Sequence, residues 1–317
     1  MAEPGGDRRP HDAEDTGAGR GNSRLPNTVV RVRSLLPSLP RAEQRVANKV
    51  IEDPAGVSVT TITELARACD TSETTVIRFC RAVGFSGYPE LRLTLATEVG
   101  RAEGSDSSRR VVSSDISPGD SLEQIVEKIA FADARAVEDT ASHLDITILE
   151  RVIDVIVAAR RVDIYGVAAS AGVTVDLQQK LHRIGKTAFA WSDTHIALTS
   201  AALLTDQDVA IGISHTGVTL DTIDALAEAR RHGATTVALT NFPRSPIADV
   251  ADLVLTTAAR ETTFRSGATA SRLAQLTVVD CLFVGVAQRT YDETLTALTV
   301  THDAVRSRHL PPERGRK

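Results

Sequence analysis

Apolar positions recur every three or four residues up to about residue 100. After a polar stretch they give way to short apolar runs alternating with helical patterns. Between Arg41 and Glu52, Ala42, Val46, Ala47, Val50 and Ile51 share one helical face, and Pro54 follows as a stop. Thr61-Ile62-Thr63-Glu64 reads as a capping box, in which Thr61 and Glu64 satisfy each other's backbone N–H groups. It opens a short helix over 62–69 with Leu65 and Ala66 turned inward. The turn Asp70-Thr71-Ser72-Glu73 follows, with Ser72 as the cap of a second helix. That helix keeps Val76, Phe79 and Val83 on one face and ends at Gly84, a left-handed stop. Thr74, Arg78 and Arg81 lie together on the opposite face.

Two short helices joined by a tight turn, the second carrying hydroxyls and arginines outward, predict a helix-turn-helix. Ser72, Glu73, Thr74 and Thr75 would enter a major groove, with Arg78 and Arg81 placed for guanine edges or phosphates. A helical bundle with a merely solvated charged face is the plainer reading. Residues 27–100 hold 9 Lys+Arg against 8 Asp+Glu, so bulk charge does not separate the two. Useful affinity would need a dimer to double the contacts.

A helix opening near Ser121, with Leu122, Ile125, Val126 and Ile129 at helical spacing, and another over 146–159 lead into the second part. There the pattern predicts strands at 162–167, 186–191, 209–213, 235–240 and 253–256. Helices are expected at 173–184, 194–204, 220–231 and 246–250, the last with Ser245 as N-cap and Pro246 in its first turn. Longer helices should span 267–289 and 291–308. Such alternation predicts a five-stranded parallel sheet flanked by helices, with ligands gathered at the carboxyl ends of the strands. The fold class is therefore α + α/β. A disordered tail (1–26), an all-α DNA-binding domain (27–103), a linker (104–120), an α/β domain (121–308) and a tail (309–317) make up the expected order.

Two strand-to-helix loops carry candidate chemistry. After the run Val209-Ala210-Ile211-Gly212-Ile213 come Ser214, His215, Thr216, Gly217, Val218 and Thr219, then a helix. Unpaired N–H groups and the positive end of a helix dipole favour an anion there. Gly217 admits close backbone approach, and Ser214, Thr216 and Thr219 offer uncharged donors. An ordinary Ser/Thr cap would look similar. The second loop, Gly166-Val167-Ala168-Ala169-Ser170-Ala171-Gly172, lacks the Walker A Lys-Ser/Thr and the GxGxxG fingerprint.

Composition narrows the class. Hydrophobic residues make up 42% and charged ones 24% of 317, with a net charge of -5. No apolar run reaches the roughly 20 residues a bilayer span needs, and the polar N-terminus is no signal peptide, so a cytoplasmic protein without membrane partners is expected. Cys69, Cys80 and Cys281 read as buried free thiols, and neither a metal site nor a cofactor is expected.

The stretch from Leu65 to Arg81, continuing through Gly84-Phe85-Ser86-Gly87-Tyr88-Pro89, resembles the N-terminal domain of RpiR/MurR-type bacterial transcription regulators. It departs from that pattern with Asp70 in place of glycine and Thr71 in place of an apolar residue. The two loops together resemble the sugar-isomerase (SIS) fold, found in phosphosugar isomerases and in the C-terminal half of those regulators. The resemblance implies a sugar phosphate held by Ser214, His215, Thr216, Gly217 and Thr219, contacted from the first loop by Ser170, where Ala168 replaces the usual glycine. Further matches are residues 180–185, Asp193-Thr194-His195, Phe264-Arg265-Ser266 and Ser271-Arg272. The expected function is a DNA-binding regulator, a repressor, of carbohydrate genes, acting as a homodimer or homotetramer on an operator with a sugar-phosphate effector. One rival is an isomerase or lyase using Glu261, His195 or His215; another is a regulator whose pocket serves only assembly. No catalytic residue is assigned.

Overall fold

The computed structural model describes residues 28–105, 116–261, 271–306 and 308; the expected tails, most of the linker and Phe264-Arg265-Ser266 lie outside them. The first part is helical: α1 (Thr28–Leu35), a 3-10 turn (Leu36–Ser38), α2 (Arg41–Glu52), α3 (Pro54–Val59), α4 (Ile62–Ala68), α5 (Glu73–Ala82) and α6 (Tyr88–Ser105). Val32, Val46, Leu65, Val76, Phe79 and Leu91 form its core. Pro54 ends α2 as expected but also opens α3, which the pattern did not reveal. A proline in a first turn gives up an N–H that has no helical partner anyway, and Asp53 caps the helix by accepting from the Gly56 N–H at 2.9 Å. The Thr61–Glu64 capping box is present. Cys69 and Cys80 are buried free thiols, and burial pushes the Cys80 thiol up to about 12. Cys281 is only half-buried.

The second part runs α7 (Leu122–His143), α8 (Ile146–Ala158), β1 (Arg161–Tyr165), α9 (Ala169–Arg183), β2 (Ala188–Trp191), α10 (Thr194–Ala201) and β3 (Asp208–Ile213). It continues with α11 (Leu220–Arg231), β4 (Thr235–Thr240), α12 (Pro246–Asp249), β5 (Leu253–Thr256), α13 (Ser271–Arg289) and α14 (Tyr291–Arg306). All strand pairs are parallel, in the order β2-β1-β3-β4-β5. One sheet face presents Val162, Ile164, Val209, Ile211, Val237 and Leu239 to α8, α9 and α13. The other presents Ala210, Gly212 and Ala238 to α10, α11 and α12. Its small side chains let α11 lie close: a Cβ on Gly212 would stand 3.2 Å from Leu226 and 3.3 Å from Thr222.

The chain leaves β1 toward one edge of the sheet and β3 toward the other, so the crevice between their carboxyl ends is the topological switch point. β1 stops two residues short of the expected end, and α9 begins at Ala169 instead of 173. Ala169, Ser170, Ala171 and Gly172 carry no apolar period, so that first turn was invisible in the pattern. Ser245 holds the N-cap position of α12 with Pro246 in the first turn, as expected, but its side chain makes no cap bond, as its Oγ donates to the Phe242 carbonyl at 2.6 Å.

Where β3 begins, Asp208 is buried. Burial alone would raise its pKa, but the bidentate Arg160 guanidinium and the Thr205 N–H and hydroxyl hold the carboxyl below its ordinary value. A depressed folded pKa stabilises the fold above the unfolded value of roughly 3.9, and that stability is lost as pH falls through the folded value. Asp208→Asn is expected to lower stability at neutral pH and to flatten the acid limb of a urea-denaturation pH series.

Candidate functional site

The loops after β1 and β3 line one cavity of about 290 Å³. Ser170, Ser214, His215, Thr216 and Thr219 all face it, together with Thr222 and Glu261. Ser170 and Ser214, far apart in the chain, are thus brought together. Within the β3 loop the Ser214 Oγ accepts from the Gly217 N–H at 3.1 Å and lies 3.1 Å from the Thr219 Oγ1. Gly217 has φ +68, and a Cβ there would sit 2.0 Å from the Ser245 Oγ, so only glycine fits. Gly217 itself does not line the cavity; it shapes the turn beneath it.

Two helices start at this cavity without a side-chain cap. The N-cap of α9 is Ala168, which has no polar side chain, and the N-cap of α11 is Thr219, whose hydroxyl is turned to Ser214. By contrast α7, α8 and α10 are capped by Ser121, Asp145 and Asp193. Two positive dipole ends therefore meet over a pocket of hydroxyls. Two buried polar atoms in the lining, His215 Nδ1 and Thr222 Oγ1, have no hydrogen-bond partner. Such orphans are costly unless a ligand or water satisfies them. His215 is 7% exposed and packs edge-to-face on Phe242. Burial lowers its pKa, partly offset by the carboxylate of Glu261 3.9 Å away, so the ring is largely neutral at pH 7. Thr222 was not singled out in the sequence, although it stands one helical turn beyond Thr219.

Ala168 adopts φ 51, ψ −124, a conformation natural to glycine. Ala168→Gly is expected to stabilise the protein by about 1 kcal/mol, since relieved strain of roughly 1–3 kcal/mol outweighs the extra chain entropy of glycine. A raised denaturation midpoint with an unchanged slope is the readout.

His195 stands apart, on the outer face of α10 in a groove of about 420 Å³ with Phe189, Trp191 and Leu203. Arg161 in that groove is already paired with the buried Asp163. His182 is exposed against Phe189, and Lys180 pairs with Asp176 and Asp280.

In the helical part, the Ser72 Oγ accepts from the Thr75 N–H at 3.2 Å and starts α5. Asp70 takes φ 48, a left-handed conformation that aspartate tolerates better than most residues, so the turn survives without glycine; Arg45 donates to the carbonyls of Cys69 and Asp70 across it. Thr74, Arg78 and Arg81 are exposed on one face of α5. Arg78 is 63% exposed and 3.8 Å from Glu43. Glu73 is tied back to α4, accepting from Thr63 at 2.6 Å. Thr75 departs from the expectation of a groove-facing hydroxyl: it is 5% exposed, under the Ser72 cap and within the bundle.

Helices of this kind joined to a doubly wound domain with an anion-ready pocket make up a helix-turn-helix transcriptional regulator with an SIS domain. The model of the rpiR-family helix-turn-helix domain matches residues 27–102, and that of the SIS domain matches residues 155–285. An uncharacterized HTH-type transcriptional regulator of Caldanaerobacter subterraneus, TTE0211, is 37% identical over 286 residues, 90% of this chain and 99% of the relative. HexR, an HTH-type transcriptional regulator of Pseudomonas aeruginosa, is 32% identical over 265 residues, 84% of this chain and 90% of HexR. Among solved structures, Vibrio vulnificus NanR complexed with ManNAc-6P aligns with TM-score 0.56 at 30% identity, covering 90% of this chain and all of that one. The chain belongs to the rpiR family of helix-turn-helix transcriptional regulators. Among the described residues, no helix is long and apolar enough to cross a membrane.

Proposed function

We propose that the cavity binds a phosphorylated sugar and that its occupancy changes how α5 reads an operator. The observation that carries this reading is the meeting of the two uncapped helix starts over two buried polar atoms without a hydrogen-bond partner, His215 Nδ1 and Thr222 Oγ1. The phosphate would sit among Ser170, Ser214, Thr216 and Thr219, held by hydroxyls and main-chain amides. NanR, complexed with a phosphosugar, supports the same choice of ligand. Thr74, Arg78 and Arg81 would face the duplex, with Ser72 and Glu73 at the mouth of the groove.

A route between the two sites supports regulation. The Asn241 N–H donates to the His215 carbonyl at 3.0 Å, and the Asn241 Oδ1 accepts from the Ala259 N–H at 2.8 Å. Asn241, Ala258 and Ala259 face Val30, Arg33 and Ser34 of α1. Movement of the phosphate loop would thus reach the helical domain through packed, hydrogen-bonded groups. The regulator is taken to be a repressor, acting in the cytoplasm as a homodimer or homotetramer, and not an enzyme.

Fluorescence anisotropy on the duplex upstream of its own gene, with and without a panel of hexose and pentose phosphates, tests this. Specific binding that weakens with salt and shifts with one sugar phosphate is expected. Indifference of DNA binding to every sugar phosphate that the protein binds would refute the coupling. Turnover of any of them would refute the non-enzymatic role.

A further inference from the structure

Among the described residues lining the cavity, the ionisable ones are His215 and Glu261. The first is buried and largely neutral, so Glu261 is the carboxylate that these residues bring to the cavity. Lysine and arginine do not occur among these lining residues. Among these residues, an anion would meet helix dipoles and hydroxyls on one wall and a carboxylate on another.

The fold explains how that carboxylate gets there. Glu261 follows β5, which lies beyond β4 and away from the switch point. The chain after β5 folds back over the end of β4: the Thr257 N–H donates to the Thr240 carbonyl at 2.9 Å, and the Ala259 N–H donates to Asn241. This brings the Glu261 Oε1 to 3.9 Å from the His215 Nε2, and the buried Ser271 Oγ donates to the same oxygen at 3.3 Å. The Glu261 side chain is 19% exposed, so its charge is only partly screened by solvent.

From this placement we infer that Glu261 selects the sugar by charge. The effector carries a single phosphoester on a body that is neutral or cationic, and a second anionic group on that body is rejected. An ionised carboxylate is an acceptor only, so it takes hydrogen bonds from sugar hydroxyls or an ammonium. It repels a carboxylate or second phosphate brought into the same small cavity. The inference rests on the phosphosugar reading above and adds the class of sugar.

Calorimetric titration of the full chain with matched series tests it. For the gluco, manno and galacto sugars, the 6-phosphate, its 2-amino form and its aldonic acid 6-phosphate share one phosphate and differ in body charge; inorganic phosphate is the reference. In at least one series the neutral or amino member is expected to bind at least about tenfold more tightly than the aldonate. Glu261→Gln should shrink that ratio toward one, chiefly by tightening the aldonate, whereas Glu261→Asp should keep it. Aldonates binding as tightly as their neutral counterparts in the natural chain would overturn the charge selection while leaving the phosphosugar reading intact. If no compound bound, inorganic phosphate included, both would fall. The ratio in the natural chain decides the matter even if a variant fails to fold.

Discussion

Gly217→Ala is expected to reduce sugar-phosphate affinity at least about hundredfold and to destabilise the C-terminal domain by roughly 2–4 kcal/mol. Two costs add. Alanine at φ +68 is strained by about 1–2 kcal/mol. Its Cβ would also stand 2.0 Å from the Ser245 Oγ and 2.5 Å from the Ser245 Cβ. Ser245 is held by its own bond to the Phe242 carbonyl and is buried, so the loop must give way instead. The affinity falls because the Ser214, Thr216 and Thr219 hydroxyls ride on that loop, and misplacement by about 1 Å can cost two orders of magnitude. Calorimetry and urea denaturation read the two effects separately. Adding Ser245→Gly removes the clash but not the strain, so the double variant should recover part of the stability. Full wild-type affinity in Gly217→Ala would show that the loop does not hold the ligand.

Replacing both Arg78 and Arg81 by alanine is expected to weaken operator binding by about 2–5 kcal/mol per half-site while changing stability by less than about 1 kcal/mol. Both side chains are exposed, and the contacts of Arg78 with the buried Glu43 at 3.8 Å and with the Thr75 Oγ1 at 3.4 Å are both long. Anisotropy across a salt series separates their roles: an arginine on a phosphate lowers the salt slope by about 1, whereas one on a guanine relaxes sequence preference. Thr74→Ala should also weaken DNA binding. Thr75→Ala should act on stability instead, because the Thr75 hydroxyl lies buried beside Ser72. Unchanged operator affinity in the double arginine variant would remove α5 from the DNA interface.

These expectations differ in how much of each could be read before the fold was known. The boundaries of α2, α11, β4 and β5, the Thr61–Glu64 capping box and the cap at Ser72 follow from local rules of period and capping, and the structure reproduces them. Less was legible where local rules are weak. The first turn of α9 is made of small residues without an apolar face, and Ser245 has the residue type of a cap but spends its hydroxyl elsewhere. Thr75 and Thr74 are equally polar neighbours on α5; only the packing of the bundle decides that one is buried and the other exposed.

By itself the sequence determined a helix-turn-helix followed by alternating strands and helices, and a hydroxyl-rich loop at Ser214–Thr219, because each depends on residues within a few positions of one another. Tertiary structure alone decided that β1 lies beside β3, so that Ser170 meets Ser214, that Thr222 and Glu261 join them, and that Asn241 leads from the pocket toward α1. Those are questions of strand order and loop reach. The physical reason is that a side chain's partners across a sheet are set by the burial of whole faces, which no short window of sequence contains.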